Sequence, residues 1–227
     1  MDVLEGIMSR RSIRAFERKK VSKETLLEIL RYACRAPSGV NCQPWEFFIV
    51  RGVTLEKLKA AFLSAHRSGK PKMPDVPVAR MKGIVPQLDG VFNHRRVTLG
   101  KQIFSLLGIG KDDKEAQKNW VENMVQFYDA PAVIIIASDR SFRDDWPLFD
   151  IGFVSQNILL AAQEYRLGTC VMRAIVDYPN LIRKLVKIPK TKRIVLGIAI
   201  GYANKKHPVN NLRTERENIS KMVTFAD

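Results

Sequence analysis

Cysteine is scarce in this chain, and what little there is does not pair. Cys34, Cys42 and Cys170 are an odd number at unrelated spacings with no CxxC, which fits a reducing cytoplasm better than a disulfide framework. Histidine is as rare: His66, His94 and His207 lie far apart without ligand spacing, which argues against a zinc site. No apolar run approaches the ~20 residues that span a bilayer. Residues 1–18 mix Asp2, Glu5 and several arginines without an unbroken apolar core, so no signal peptide is expected. Acidic residues are also short, 23 against 38 Lys+Arg, leaving a net charge of +15. Such an excess suits nucleic acid, acidic membrane, phosphorylated ligands or merely a soluble basic surface, and by itself selects none.

What is present describes a soluble globular protein. Hydrophobic residues make up 46% and charged residues 27% of the 227, so the chain can bury a core. Residues 3–11 read as a short helix, with Leu4, Ile7 and Met8 at helical spacing. Ser22 is placed to cap a second helix carrying Leu26, Leu27, Leu30, Ala33 and Cys34, ended by Pro37 and Gly39. A strand over 46–50 follows, then a helix with Thr54 as its expected cap. Residues 68–90, rich in Pro, Gly and Lys, read as a long loop of the kind that covers a site. Helical patterns cover 95–107 and 113–128. The run 132–137, with three consecutive isoleucines, reads as a buried strand. The helix 148–166 has Pro147 at its first turn and Gly168 beyond its end. A short strand at 169–172, a helix at 177–186 and a buried strand at 193–200 complete the pattern, and residues 222–225 read as an edge strand. Without a repeat or a separating linker, this is one α+β domain spanning 1–227.

Few stretches carry chemistry. "SRRSIRAF" (9–16) concentrates Arg10, Arg11, Arg14 and the Ser12 hydroxyl at a helix end. Guanidinium forks suit phosphate oxygens, although alone the stretch reads as a solvated basic helix end. "NNLRTEREN" (210–218) places Arg213 and Arg216 among polar residues, and alone reads as a surface loop with weak Arg–Glu pairs. "APSGVNCQPW" (36–45) is harder to dismiss. A turn needs Pro37 and Gly39 but not Asn41, Gln43 and Trp45, whose neutral donors and acceptors suit a heteroaromatic ring. Cys42 has no basic partner nearby in sequence and reads as inert. "GIGKDD" is no P-loop, and no serine sits in a nucleophile elbow. Asp144 and Asp145 read as caps for the following helix, and Asp150 joins them as a candidate for acid–base work.

Together these segments resemble the nitroreductase family of FMN-dependent oxidoreductases. The resemblance rests on "RRSIRAF" (10–16), "APSGVNCQPWEFFIV" (36–50), "NMVQFYDAPAVIII" (123–136), "QNILLAAQEYRLGTC" (156–170), "VLGIAIGYA" (195–203) and "LRTEREN" (212–218), in that order over nearly the whole chain. The first two are the most specific, and the insertion at 95–116 resembles the bacterial nitroaromatic-reductase branch.

That resemblance implies a central, mainly antiparallel mixed sheet flanked by helices, in a homodimer that exchanges its C-terminal tails and holds FMN at the subunit interface. Arg10, Ser12, Arg14 and Arg213 would hold the FMN phosphate and ribityl chain, with Arg11 in support. Pro37, Ser38 and Gly39, with Asn41 nearby, would reach the partner's isoalloxazine. Asn123 and Gln126 occupy positions that contact the ribityl and pyrimidine edge, and Gln126 stands where some relatives carry Lys. Met172 and Arg173 lie in the stretch that runs past the flavin, and residues 222–225 would add a strand to the partner's sheet. The implied activity is ping-pong transfer from NADH or NADPH to a nitroaromatic, quinone or similar flat acceptor, with the flavin supplying the electron chemistry. Two alternatives stand beside it. One is a reductive dehalogenase or other specialised flavin enzyme of the same fold. The other is a basic nucleic-acid-binding module, which lacks the interleaved aromatics of a stacking platform.

Overall fold

The computed structural model describes residues 2–76, 89–142 and 145–226. Its elements in chain order are α1 (Val3–Ser9), α2 (Lys23–Ala33), β1 (Glu46–Arg51), α3 (Gly52–Arg67), α4 (Gly90–Leu107), α5 (Lys114–Val125), β2 (Ala132–Asp139), α6 (Trp146–Glu164), β3 (Gly168–Met172), α7 (Pro179–Val186) and β4 (Lys192–Gly201). The strands form one sheet in the order β1-β2-β4-β3, and every strand pair is antiparallel. A single parallel bridge, Ser12 to Thr169, makes the sheet mixed at its β3 edge.

The isoleucine run explains the layering. Successive side chains of a strand point to opposite faces. On β2, Val133 and Ile135 join a core with Leu55, Leu58 and Phe62 of α3, Val125 of α5 and Ile182 of α7. Ala132, Ile134 and Ile136 join another with Leu26, Ile29 and Leu30 of α2 and Ile151, Val154 and Ile158 of α6. The sheet is thus covered on both faces, which is why β2 is apolar without alternation. Among the described residues no helix is long and apolar enough to cross a membrane.

Several local expectations shift. Ser22 caps α2 by accepting the Thr25 N–H, and Pro147 sits in the first turn of α6. Thr54 is not a cap: α3 begins at Gly52, whose φ of 59° turns the chain straight out of β1. Asp145 occupies the cap position of α6 without a side-chain capping bond, and Asp144 lies outside the described residues. The expected strand at 222–225 does not form in the single chain: a short 3-10 turn at Ile219–Lys221 is followed by irregular backbone. Most of the 68–90 loop, residues 77–88, lies outside the described residues. The part before it is tied down by Lys72 on Asp177 at 2.7 Å and by Asp75 on Arg183 and Arg140.

Candidate functional site

The segment after α1 runs extended along the sheet edge because the fold supplies partners for its backbone. The Ile13 N–H donates to Thr169 O at 2.9 Å, Glu17 N–H to Tyr202 O at 2.8 Å, and Asn204 N–H to Ala15 O at 3.0 Å. Gly168 permits the close approach. A Cβ there would collide with the Ile13 side chain, whose own Cβ would be 3.0 Å away.

Asn210 completes the attachment. This amide is buried and engaged at both ends. Its oxygen accepts the Arg14 N–H at 2.8 Å, and its nitrogen donates to Ala15 O at 2.7 Å and Asn204 O at 2.9 Å. The residue therefore fixes both the arginine strap and the start of the tail that carries Arg213. Its neighbours in sequence gave no signal of this, because all three partners depend on tertiary approach.

A recess of ≈ 730 Å³ opens over the strap, within the range of about 300–1,000 Å³ for small-molecule sites. Arg10, Arg11, Ser12 and Arg14 form one wall and Arg213, Thr214 and Arg216 the other. Gln156 and Leu159 of α6, Leu99 of α4 and Ile7 and Met8 of α1 close it. The two arginine segments, nearly two hundred residues apart, converge here, together with Gln156 and Leu99, which the sequence did not single out.

The electrostatics are one-sided. Five guanidiniums and no carboxylate line the recess. Arg11 is held below its ordinary pKa, first by burial and then by the facing charge of Arg213. Its Nε is buried with no hydrogen-bond partner. Such an orphaned cationic donor beside a like charge fits an anion and is costly without one. Behind the strap, Arg14 donates to Ser12 O at 3.4 Å and approaches the Tyr128 hydroxyl. Burial pushes the Tyr128 phenol far above its usual range, more than Arg14 pulls it down. Burial likewise raises the Cys170 thiol, against Arg14, the Ser12 hydroxyl and Arg10.

The other expected residues lie outside this recess. Asn123 is half-buried on α5, and Gln126 caps that helix with its amide donating to Glu122 O at 3.3 Å. The next three residues, Phe127, Tyr128 and Asp129, are all left-handed (φ 61°, 55° and 55°), a costly conformation outside glycine that clusters at functional sites. Met172 is buried in the core, and Arg173 begins a 3-10 turn packed against α5. Tyr128, reaching Arg14, links this corner to the recess.

Pro37, Ser38, Gly39 and Asn41 belong to a loop held at the N-terminal end of α6. The buried Asp150 carboxylate accepts the Gly39 N–H at 3.3 Å and the Cys42 thiol at 3.7 Å, and the Trp146 indole covers Gly39. Asp150 thus has a positioning role toward this loop. Val40, Asn41 and Gln43 are left-handed (φ 45°, 59° and 47°). From Asp150 to Gln156 is about 9 Å along the helix axis at 1.5 Å per residue, and no residue of this loop lines the arginine recess. Among the described residues no cluster of His, Cys, Asp and Glu is suited to a metal ion.

Comparison with known proteins identifies the fold and the family. A nitrobenzene nitroreductase of Ectopseudomonas oleovorans is 30% identical over 220 residues, covering 96% of this chain and 94% of the relative. The nitroreductase NfnB of Mycolicibacterium smegmatis is 27% identical over 220 residues, covering 97% and 91%. The crystal structure of the FMN-dependent NfnB from Mycobacterium smegmatis in complex with NADPH superposes with a TM-score of 0.89 at 26% identity, over 99% of this chain and 97% of that one. The family model described as "Nitroreductase family" matches residues 7–202, and the chain belongs to that family.

Proposed function

We propose that this protein is an FMN-dependent NAD(P)H oxidoreductase that reduces nitroaromatics, quinones or similar flat acceptors, and that 1–227 works as one domain in each half of a homodimer. The observation that carries the reading is the recess walled by five guanidiniums without a carboxylate, with the buried, unpartnered Nε of Arg11 beside it. A phosphate dianion satisfies both features.

In this reading Arg10, Ser12, Arg14 and Arg213 hold the phosphate and ribityl chain, and Arg11 supports them from the strap. Asn123 and Gln126 face the ribityl and pyrimidine edge, which requires the Gln126 amide to leave Glu122 O. Met172 and Arg173 border the ring, and Pro37, Ser38, Gly39 and Asn41 reach it from the partner subunit. Bound FMN would supply the hydride chemistry between NADH or NADPH and the acceptor. The chain's part is to bind, to orient, and to stabilise developing negative charge with preorganised donors.

Two features support the dimer. Trp146, Phe149 and Phe153 leave an exposed aromatic stripe on α6, between the Gly39 loop and the recess. The tail presents Ile219, Met222, Val223 and Phe225 to solvent. Contiguous uncovered apolar surface of this kind marks an interaction site. The three cysteines are all free, which fits a reducing cytoplasm. For the dehalogenase alternative, the candidate lid within 69–90 lies largely outside the described residues.

The test is anaerobic turnover of the FMN-loaded protein. NADPH or NADH should be consumed in proportion to 4-nitrobenzoate reduced, while a halotyrosine supplied with a chemical reductant should keep its halogen. Dehalogenation without nitro reduction would overturn the proposal in favour of the alternative.

A further inference from the structure

The arginine strap has a reverse side. A second recess of ≈ 260 Å³ opens there, lined by Ser9, Arg10, Arg11, Arg166 and Lys205 over a floor that includes Ile13, Leu167 and Ala203. Three separate elements bring its charges together: the strap, the end of α6, and the loop after β4. No Asp or Glu lines it, and among the described residues none of its four cations forms an ion pair.

The walls are built, not frayed. The Ser9 hydroxyl donates to Gln163 Oε1 at 3.1 Å, and Gln163 Nε2 donates to Gly6 O at 2.9 Å, pinning the end of α1 to α6. Arg166 is held in the left-handed region, φ 56°, with its N–H bonded to Gln163 O at 2.8 Å. The strap borders both recesses. Arg14, Arg213 and Arg216 line only the first recess, Arg166 and Lys205 only the second, and Arg10 and Arg11 line both.

We propose that this second recess is an anion site distinct from the FMN pocket, and that it binds a small phosphomonoester or inorganic phosphate. Four converging cations favour a dianion over a monoanion, and guanidinium forks match phosphate oxygens two at a time. The volume falls below the range of about 300–1,000 Å³ for sites enclosing a drug-sized ligand. It accommodates a phosphate with a small appendage against the apolar floor, not a dinucleotide.

The experiment titrates FMN-loaded protein with inorganic phosphate, then with ribose 5-phosphate, at low ionic strength by isothermal calorimetry, with acetate as the monoanion control. The comparison is an Arg166→Asn, Lys205→Glu double variant. Asparagine tolerates the left-handed backbone at 166, and both side chains are exposed, so the fold and FMN absorbance are retained. The expected result is one saturable phosphate site per chain, weakened at least tenfold in the double variant. Ribose 5-phosphate binding more tightly than phosphate assigns the floor to the appendage, and equal binding assigns the site to the phosphate alone. No saturable binding, acetate binding equally well, or an unchanged affinity in the double variant would each overturn the proposal. If the protein does not retain FMN, wild type should bind two phosphates and the double variant one, and an unchanged count would refute the second site independently of the flavin.

Discussion

Replacing Arg213 with alanine should have opposite effects on the FMN-free and FMN-bound protein. Without FMN, Arg213 is a like charge that helps hold Arg11 below its ordinary pKa, next to the larger effect of burial. Arg213 is exposed and has no ion pair among the described residues, so its removal breaks no packing and relieves repulsion. The FMN-free melting temperature should therefore stay level or rise slightly. With FMN the same change deletes a charge-assisted bond to phosphate, worth about 1.5–3 kcal/mol, or roughly a 10- to 150-fold rise in Kd. Linkage makes this visible in a melt. At FMN one hundred times the wild-type Kd, ligand stabilises wild type by about 2.7 kcal/mol. A tenfold loss cuts that to about 1.4 kcal/mol. Flavin fluorescence titration of FMN-free protein gives Kd directly, and thermal denaturation with and without FMN gives the rest. An FMN affinity within twofold of wild type, or an FMN-free Arg213→Ala protein several degrees less stable, would refute the clamp.

Three further outcomes follow from the same structure. Asn210→Ala strands the Arg14 N–H and two carbonyls, and should cost about 2–4 kcal/mol in urea denaturation; a loss below about 0.5 kcal/mol would show the amide to be dispensable. Burial raises the Asp75 carboxyl, but the Arg183 and Ile194 N–H bonds and the Arg183 and Arg140 charges outweigh it, so the folded-state pKa is depressed. Its contribution is then present above the ordinary carboxylate pKa of about 3.9 and is lost as pH falls below it. The melting-temperature gap between wild type and Asp75→Asn should be full at neutral pH and narrow under acid; an equal gap at both would contradict the depressed pKa. Deleting residues 219–227 should convert a sedimenting dimer to monomer and release FMN, whereas a truncated protein that stays dimeric and yellow would remove the tail from the interface.

Elements whose cause is local could be read from the chain. The Ser22 cap, Pro147 at the first turn of α6 and the uninterrupted Ile134–Ile136 run each act over a few residues, and each is found in place. Local reasoning failed where two local signals competed: Thr54 resembles a cap, but Gly52 turns the chain into α3 two residues earlier. At 222–225 the apolar residues remain uncovered and find no strand partner in the single chain. For the site, the motifs at 10–14 and 213 identified the charge, and only the fold brings them to one recess. Asn210 and Gln156 were silent because their roles come from the approach of distant segments. The Pro37–Asn41 loop, conspicuous in sequence, is held by Asp150 away from its own recess.

The most direct test of the account is an anaerobic absorbance spectrum of the purified protein. A flavin band should be present, bleach on addition of NADPH or NADH, and return on addition of a nitroaromatic. A colourless protein that takes up no added FMN would contradict the central claim.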